Sequence, residues 1–255
     1  MASLFYQPNT PYPCADLTLA TGSHLHLVAN LPMATDRLAS LPEPLLQRLD
    51  WADALIVESD ILTLSPELER LEPQAALAAR LQPSDYTLLL HCCQSVNLPL
   101  SRIDTLPYWQ VALMLQTYQA LQQGLFTEYG VEYQLLTERQ QQNRTILELE
   151  GQPLQHTLWS SLVAAGLPLL QTTLQQWHES QQALHQVETW WLSGAEPSPS
   201  LLQAFCYPLH QRVMTARHPQ WVAFLKQLPA GNYLVAVGAL HLFGPNALLA
   251  QLAVQ

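Results

Sequence analysis

The stretch Gly231-Asn-Tyr-Leu-Val-Ala-Val-Gly238, running on into Ala239-Leu-His241, decides the fold. Its Tyr233–Val237 segment is continuously apolar and rich in β-branched residues, as in a strand covered on both faces inside an α/β sheet. Gly231-Asn232 marks the turn into that strand. Gly238 ends it where no side chain obstructs a change of direction, so His241 is expected at the carboxyl edge of the sheet, where open α/β sheets bind their ligands. A closing helix is expected from Pro245 to about Ala253.

Upstream, Leu17-Thr-Leu-Ala20 and Leu25-His-Leu-Val-Ala29 alternate with period two around the polar turn Thr21-Gly-Ser-His24, the pattern of a β-hairpin. Pro42–Asp53 sets Leu45, Leu46 and Leu49 at helical spacing. Ala54–Asp60 reads as a short buried strand that ends in Glu58 and Asp60, and Thr145–Glu150 as another that ends in Glu150. Between them the pattern is helical in pieces: Pro66–Leu81, Ser84–Ser95, Pro107–Gln122 and Glu132–Gln142. Further helices are expected at His156–Ala165, Pro168–Leu192 and Gln211–Gln227. No linker separates the first strands from the last. The expected fold is therefore α/β, with one mixed sheet of about five or six strands (the hairpin and strands near 54–58, 145–149 and 233–238). It forms a single domain over 1–255 with a helical insertion at about 66–142.

Composition narrows the function classes. The chain has 255 residues with 49% apolar and only 12% charged, 10 basic against 20 acidic residues, and a net charge of −10. No cluster of Lys or Arg exists to neutralise a row of phosphates, which argues against nucleic acid, and anionic membrane surfaces are disfavoured for the same reason. No apolar run approaches the roughly 20 residues that cross a bilayer. The first residues lack a basic and then apolar leader, so a secretory precursor is not expected, although a processed, periplasmic or exported form stays open. Cys14, Cys92, Cys93 and Cys206 are expected as reduced core thiols, which favours a cytoplasmic setting.

Glu58, Glu150 and His241 each follow a strand, so all three are expected on one sheet edge. Two carboxylates and an imidazole there could hold a divalent metal and activate water, act as an acid/base pair, or pair structurally with an arginine. Arg217, at the head of Arg217-His-Pro-Gln-Trp221, is the natural partner among only nine arginines. His91-Cys92-Cys93 lacks a second pair at zinc-finger spacing. His178 and His185 are expected in solvent, and Trp177, Trp190 and Trp191 in the core.

Taken in order, the hairpin, Leu41-Pro-Glu-Pro, Trp51–Asp60, Leu106-Pro-Tyr-Trp109, Glu128-Tyr-Gly-Val-Glu132, Leu149-Glu150, Arg217–Trp221 and Tyr233–Gly244 resemble the TraB/GumN family, from about Asp16 to Ala253. The resemblance implies relatedness to the TIKI metal-dependent proteases, with a fold shared by ChaN-like and erythromycin-esterase-like proteins. It also implies two G-x-x-H motifs and a divalent metal (Mn, Co or Zn). On this pattern His241 is the second motif's histidine and Glu58 the other metal ligand, with Glu150 and Arg217 as further catalytic residues. The chain departs from the pattern at three places. Ala29-Asn-Leu-Pro32 stands where the first G-x-x-H belongs, His218 where the family has Asn, and Glu132 where it has Asp. Proline carries no side-chain ligand. His26 could replace the lost histidine only by a register shift that turns the strand's apolar face outward. The implied function is a metal-dependent hydrolase, in the protease direction, with an impaired metal site. The alternative is a non-catalytic relative that binds a peptide or small ligand in the same cleft. A third reading is a metal-free hydrolase that uses Glu58 and Glu150 as acid and base.

Overall fold

The structure, a computed structural model, describes residues 10–60, 62, 73–150, 165–195, 197–198, 217–243 and 247–253. Its centre is a five-stranded mixed sheet in the order β1-β2-β5-β3-β4. The strands are β1 (Cys14–Thr18), β2 (Ser23–Asn30), β3 (Ala54–Val57), β4 (Ile146–Glu148) and β5 (Gly231–Gly238). Only β1 runs antiparallel to its neighbour. β5 lies between β2 and β3, with Asn30 opposite Gly238 and Val57 opposite Ala236, so the carboxyl ends of four strands share one edge. Leu234, Val235, Ala236 and Val237 are fully buried, and so are Leu55, Ile56 and Val57. That explains their unbroken apolar runs. Fully burying a Val, Leu or Ile side chain contributes roughly 1.5–3 kcal/mol.

The helices are α1 (Glu43–Trp51), α2 (Leu77–Arg80), α3 (Pro83–Ser95), α4 (Tyr108–Gln122), α5 (Val131–Gln141), α6 (Gly166–Gln175), α7 (Trp177–Ser193), α8 (His218–Lys226), α9 (Ala239–Phe243) and α10 (Leu248–Ala253). They fall on two cores. Leu45 and Leu49 of α1, Val131, Leu135 and Leu136 of α5, Trp190 and Trp191 of α7 and Trp221 of α8 pack with the sheet. Leu77, Leu89, Trp109, Leu115, Leu170 and Trp177 belong to a second cluster built from α2, α3, α4, α6 and the start of α7. The helices between β3 and β4 divide between these two cores. The last of them, α5, joins the sheet, and the second core takes α6 from beyond β4. Among the described residues, no helix is long and apolar enough to cross a membrane.

Three local expectations are corrected. Residues 66–72 of the helix expected at Pro66–Leu81 lie outside the described residues, and 73–76 are irregular. The Gln74 and Leu77 amides there donate to the Thr105 and Asp104 carbonyls rather than along a helix. The expected helix Pro168–Leu192 is two helices joined at Gln176, and Gln119 donates to the Trp177 carbonyl at the junction. His24 is in β2, paired with Thr18, because positive-φ Gly22 closes the hairpin turn earlier. The helix expected at His156–Ala165, the first part of that at Gln211–Gln227, and Cys206 lie outside the described residues. Cys14, Cys92 and Cys93 are free and buried. His178 and His185 are exposed, and Trp177, Trp190 and Trp191 are buried, as expected.

Arg139 of α5 is a buried cation that serves only backbone. Its guanidinium donates to the carbonyls of Leu49 (2.9 Å), Ala52 (2.8 Å) and Thr145 (3.3 Å), tying the end of α1 and the starts of β3 and β4 to α5. Arg139→Met leaves the Leu49 carbonyl without that donor, at roughly 1–3 kcal/mol for an unsatisfied buried group, while Thr145 keeps the Leu55 amide. Thermal unfolding should show a fall in Tm on the order of 5 °C. Arg144→Met, which removes a half-exposed second donor to Ala52, should cost clearly less.

Candidate functional site

Each functional side chain is delivered by a strand or helix end. Glu58 follows β3 and Glu150 follows β4, and the Glu150 amide donates to the Glu58 carbonyl (2.9 Å), so the ladder between the strands continues to the acids. His241 lies in α9, which starts directly after β5. Arg217 and His218 open α8, whose Trp221 and Leu225, four residues apart, bury its inner face. Asn30 ends β2, and Glu132 lies in the first turn of α5.

The structure brings Glu58, Glu150, Arg217 and His241 together. Arg217 Nη1 pairs with Glu150 Oε1 and lies 3.4 Å from Glu58 Oε2, and Nη2 donates to His241 Nε2 at 3.1 Å. The Gly238 amide donates to Glu58 Oε1 at 2.7 Å. A Cβ on Gly238 would come within 3.3 Å of that oxygen, so glycine permits the approach. Trp221 stacks tilted on His241 (4.5 Å between centroids) and lies under the Arg217 guanidinium (4.9 Å). A cation at a helix N-terminus opposes the helix dipole. Here the two acids offset that cost.

Since arginine can only donate, His241 Nε2 must accept, which places the imidazole proton on Nδ1. That proton is donated to His218 Nε2 (2.7 Å), so His218 in turn carries its proton on Nδ1. The Gln251 side-chain amide stands 3.0 Å from that Nδ1 and meets it as an acceptor once its oxygen is turned toward it. Both imidazoles are neutral in this chain. His241 Nε2 lies 3.6 Å from Glu58 Oε1 without bonding it.

Glu132 was not among the candidates drawn from the sequence, nor were His218 and Asn30. Asn30 holds Glu132 at two points: Oδ1 accepts the Glu132 amide (3.0 Å) and Nδ2 donates to Oε2 (3.1 Å). Among the described residues, Glu132 Oε1 is buried with no hydrogen-bond partner, in a residue only 7% exposed. Burial, with Glu58, Asp60 and Glu150 nearby, pushes its carboxyl up to about 8 against the opposing Asn30 bond. Burial also raises Glu58 and Glu150, and Arg217 opposes the shift in both. The resemblance marks positions 132 and 218 as departures from the family pattern but gives neither residue a role. Asn30 is the polar end of an apolar strand, and Glu132 resembles an ordinary first-turn acid.

With the geometry in place, comparison with known proteins is informative. The family model described as TraB/PrgY/gumN matches residues 20–255. The chain belongs to that family. It is similar to the uncharacterised protein YbaP of Escherichia coli (strain K12), at 38% identity over 93% of this chain and 90% of YbaP, and equally to YbaP of Shigella flexneri. No solved structure matches. In this TraB/PrgY/gumN protein, the three positions that depart from the expected pattern lie at the same edge. His218 bonds His241, Glu132 bonds Asn30, and exposed Pro32 lies two residues beyond β2 with its carbonyl against Gly130, where a Cβ would come within 2.5 Å. His26 does not turn toward the site. Its two nitrogens meet Asp16 (2.5 Å) and Tyr12 (3.1 Å).

Glu132 has a measurable signature. Its carboxyl titrates higher folded than unfolded, so the folded state holds the extra proton between roughly pH 4.5 and 8. Stability is lost across that interval, at up to roughly 1.4 kcal/mol per pH unit. Denaturant titrations of Glu132→Gln against wild type should show the variant gaining relative stability from pH 5 to 8, with a constant difference above 8.

Proposed function

We propose that this chain is a ligand-binding relative of metal-dependent hydrolases, in which the cleft at the carboxyl edge of the sheet takes a peptide or small ligand without hydrolysing it. The commitment of the donor atoms supports this. A Mn, Co or Zn ion needs lone pairs of carboxylates and neutral imidazoles converging at roughly 2.0–2.2 Å. Glu58 Oε1 already accepts from Gly238, Glu58 Oε2 and Glu150 Oε1 face Arg217 Nη1, and His241 Nε2 accepts from Arg217 Nη2. Among the described residues, no three His, Cys, Asp or Glu side chains are grouped to hold a metal. These residues do not fit a divalent cation, because the guanidinium supplies the positive charge and aims its N–H groups at the atoms that would ligate. Pro32 adds no donor at the first motif. A metal-free acid/base pair is also disfavoured. Both carboxyls share one arginine rather than sitting in contrasting surroundings that would separate an acid from a base.

The test is calorimetry with Mn²⁺, Co²⁺ and Zn²⁺ on wild type and His241→Ala, with thermal unfolding of the wild type alone. The expected outcome is weak heats that do not depend on His241 and no rise in Tm, whereas an ion at a thousand times its dissociation constant would add roughly 4 kcal/mol. Saturable His241-dependent binding, or metal-stimulated peptide hydrolysis lost in Glu58→Gln, would overturn the proposal.

A further inference from the structure

We infer that Glu132 anchors a primary ammonium group of the bound ligand, which donates to the unpartnered Oε1 of a carboxyl that Asn30 holds in place. The inference rests on the cleft being a ligand site, as proposed above, and names the chemistry it selects. Buried polar atoms without partners are rare in native structures, and a carboxylate oxygen is an expensive one to leave unmet. Glu132 Oε1 is such an atom, and it is fixed rather than mobile. Asn30 binds both the residue's amide and its other oxygen. Among the described residues, the charged groups acting on this carboxyl are Glu58, Asp60 and Glu150, all acids. The described residues supply Arg217 as the cation of this edge, and its Nη1 is committed to Glu58 and Glu150. Positive charge is what the Glu132 end lacks.

The kind of cation follows from the acceptors. A metal ion needs several donor atoms converging on it, and among the described residues the buried carboxyl oxygen without a hydrogen bond at this edge is the single Glu132 Oε1. A quaternary ammonium has no N–H and favours aromatic faces, and Trp221 is already stacked with Arg217 and His241. A primary ammonium suits a single buried acceptor, with the other acids favouring it at longer range. When it docks, the carboxyl's proton leaves and the carboxylate keeps its new partner.

The experiment is calorimetry on the full chain with three probes: tetra-alanine with a free N-terminus, N-acetyl-tetra-alanine, and butane-1,4-diamine. At least one free-amine probe should bind, the acetylated peptide should not, and Glu132→Gln should weaken binding tenfold or more with folding intact by circular dichroism. Binding of the peptide and not the diamine assigns a chain terminus, and the reverse assigns a small amine. Either supports the anchor. Equal binding of the acetylated peptide, an unchanged affinity in Glu132→Gln, or no amine binding into the millimolar range would overturn it. Saturable metal binding in the preceding assay brings down the ligand-site reading itself. Failure of both metals and amines brings down the anchor alone.

Discussion

The structure depends on where its last strand goes. β5 enters between β2 and β3, pairing with β2 along its whole length and with β3 over Tyr233–Ala236. Until it is there, β2 has only β1 and β3 only β4 as a ladder partner, and the sheet lacks its centre. Once there, Gly238 stands beside Asn30 on one side and within reach of Glu58 on the other. α9 then begins at once, and its start carries His241 into the cluster. Asn30, Glu58 and His241 thus lie at the carboxyl ends of parallel strands, the edge at which open α/β sheets bind ligands.

The cluster on that edge is an electrostatic compromise. Taking a guanidinium and two carboxylates out of water is costly. Their attraction repays the cost only when the hydrogen bonds are made, which the Gly238 amide, His241 and the two glutamates together provide. The same arrangement sets the proton positions on two histidines without either becoming charged. The hydrogen-bonded chain from Arg217 through His241 and His218 to Gln251 links α8 and α9 to α10 through side chains alone.

Strands were legible in the sequence because burial on both faces leaves an unbroken apolar run, as in Ala54–Val57 and Tyr233–Val237. Their acids were legible for a related reason: Glu58 and Glu150 interrupt such runs at the end where ligands sit. Partners were harder. Local periodicity found α5 and α6 but could not say that α5 would pack on the sheet and α6 on the second core, since both show an ordinary apolar face. Residues 74–76 have helical composition, yet the Thr105 carbonyl takes the Gln74 amide, and Asp104 takes that of Leu77 at the head of α2. Glu132 and His218 escaped the candidate set because their roles come from neighbours far away in sequence. Asn30 lies 102 residues from Glu132.

The segment after β2 carries one more consequence. The Leu31 carbonyl accepts the Val131 amide (2.9 Å) and Asn30 Oδ1 accepts the next one, so this short stretch caps α5 from across the chain. A backbone carbonyl is supplied by any residue, whereas a side-chain acceptor is not. Selection can therefore let position 32 drift to proline without unseating the helix, while Gly130 stays bound to a residue with no Cβ and position 30 to a short side chain with both an acceptor and a donor. The scaffold role of this segment resides in backbone carbonyls and in Asn30, and so the side chain at position 32 is free to change without it.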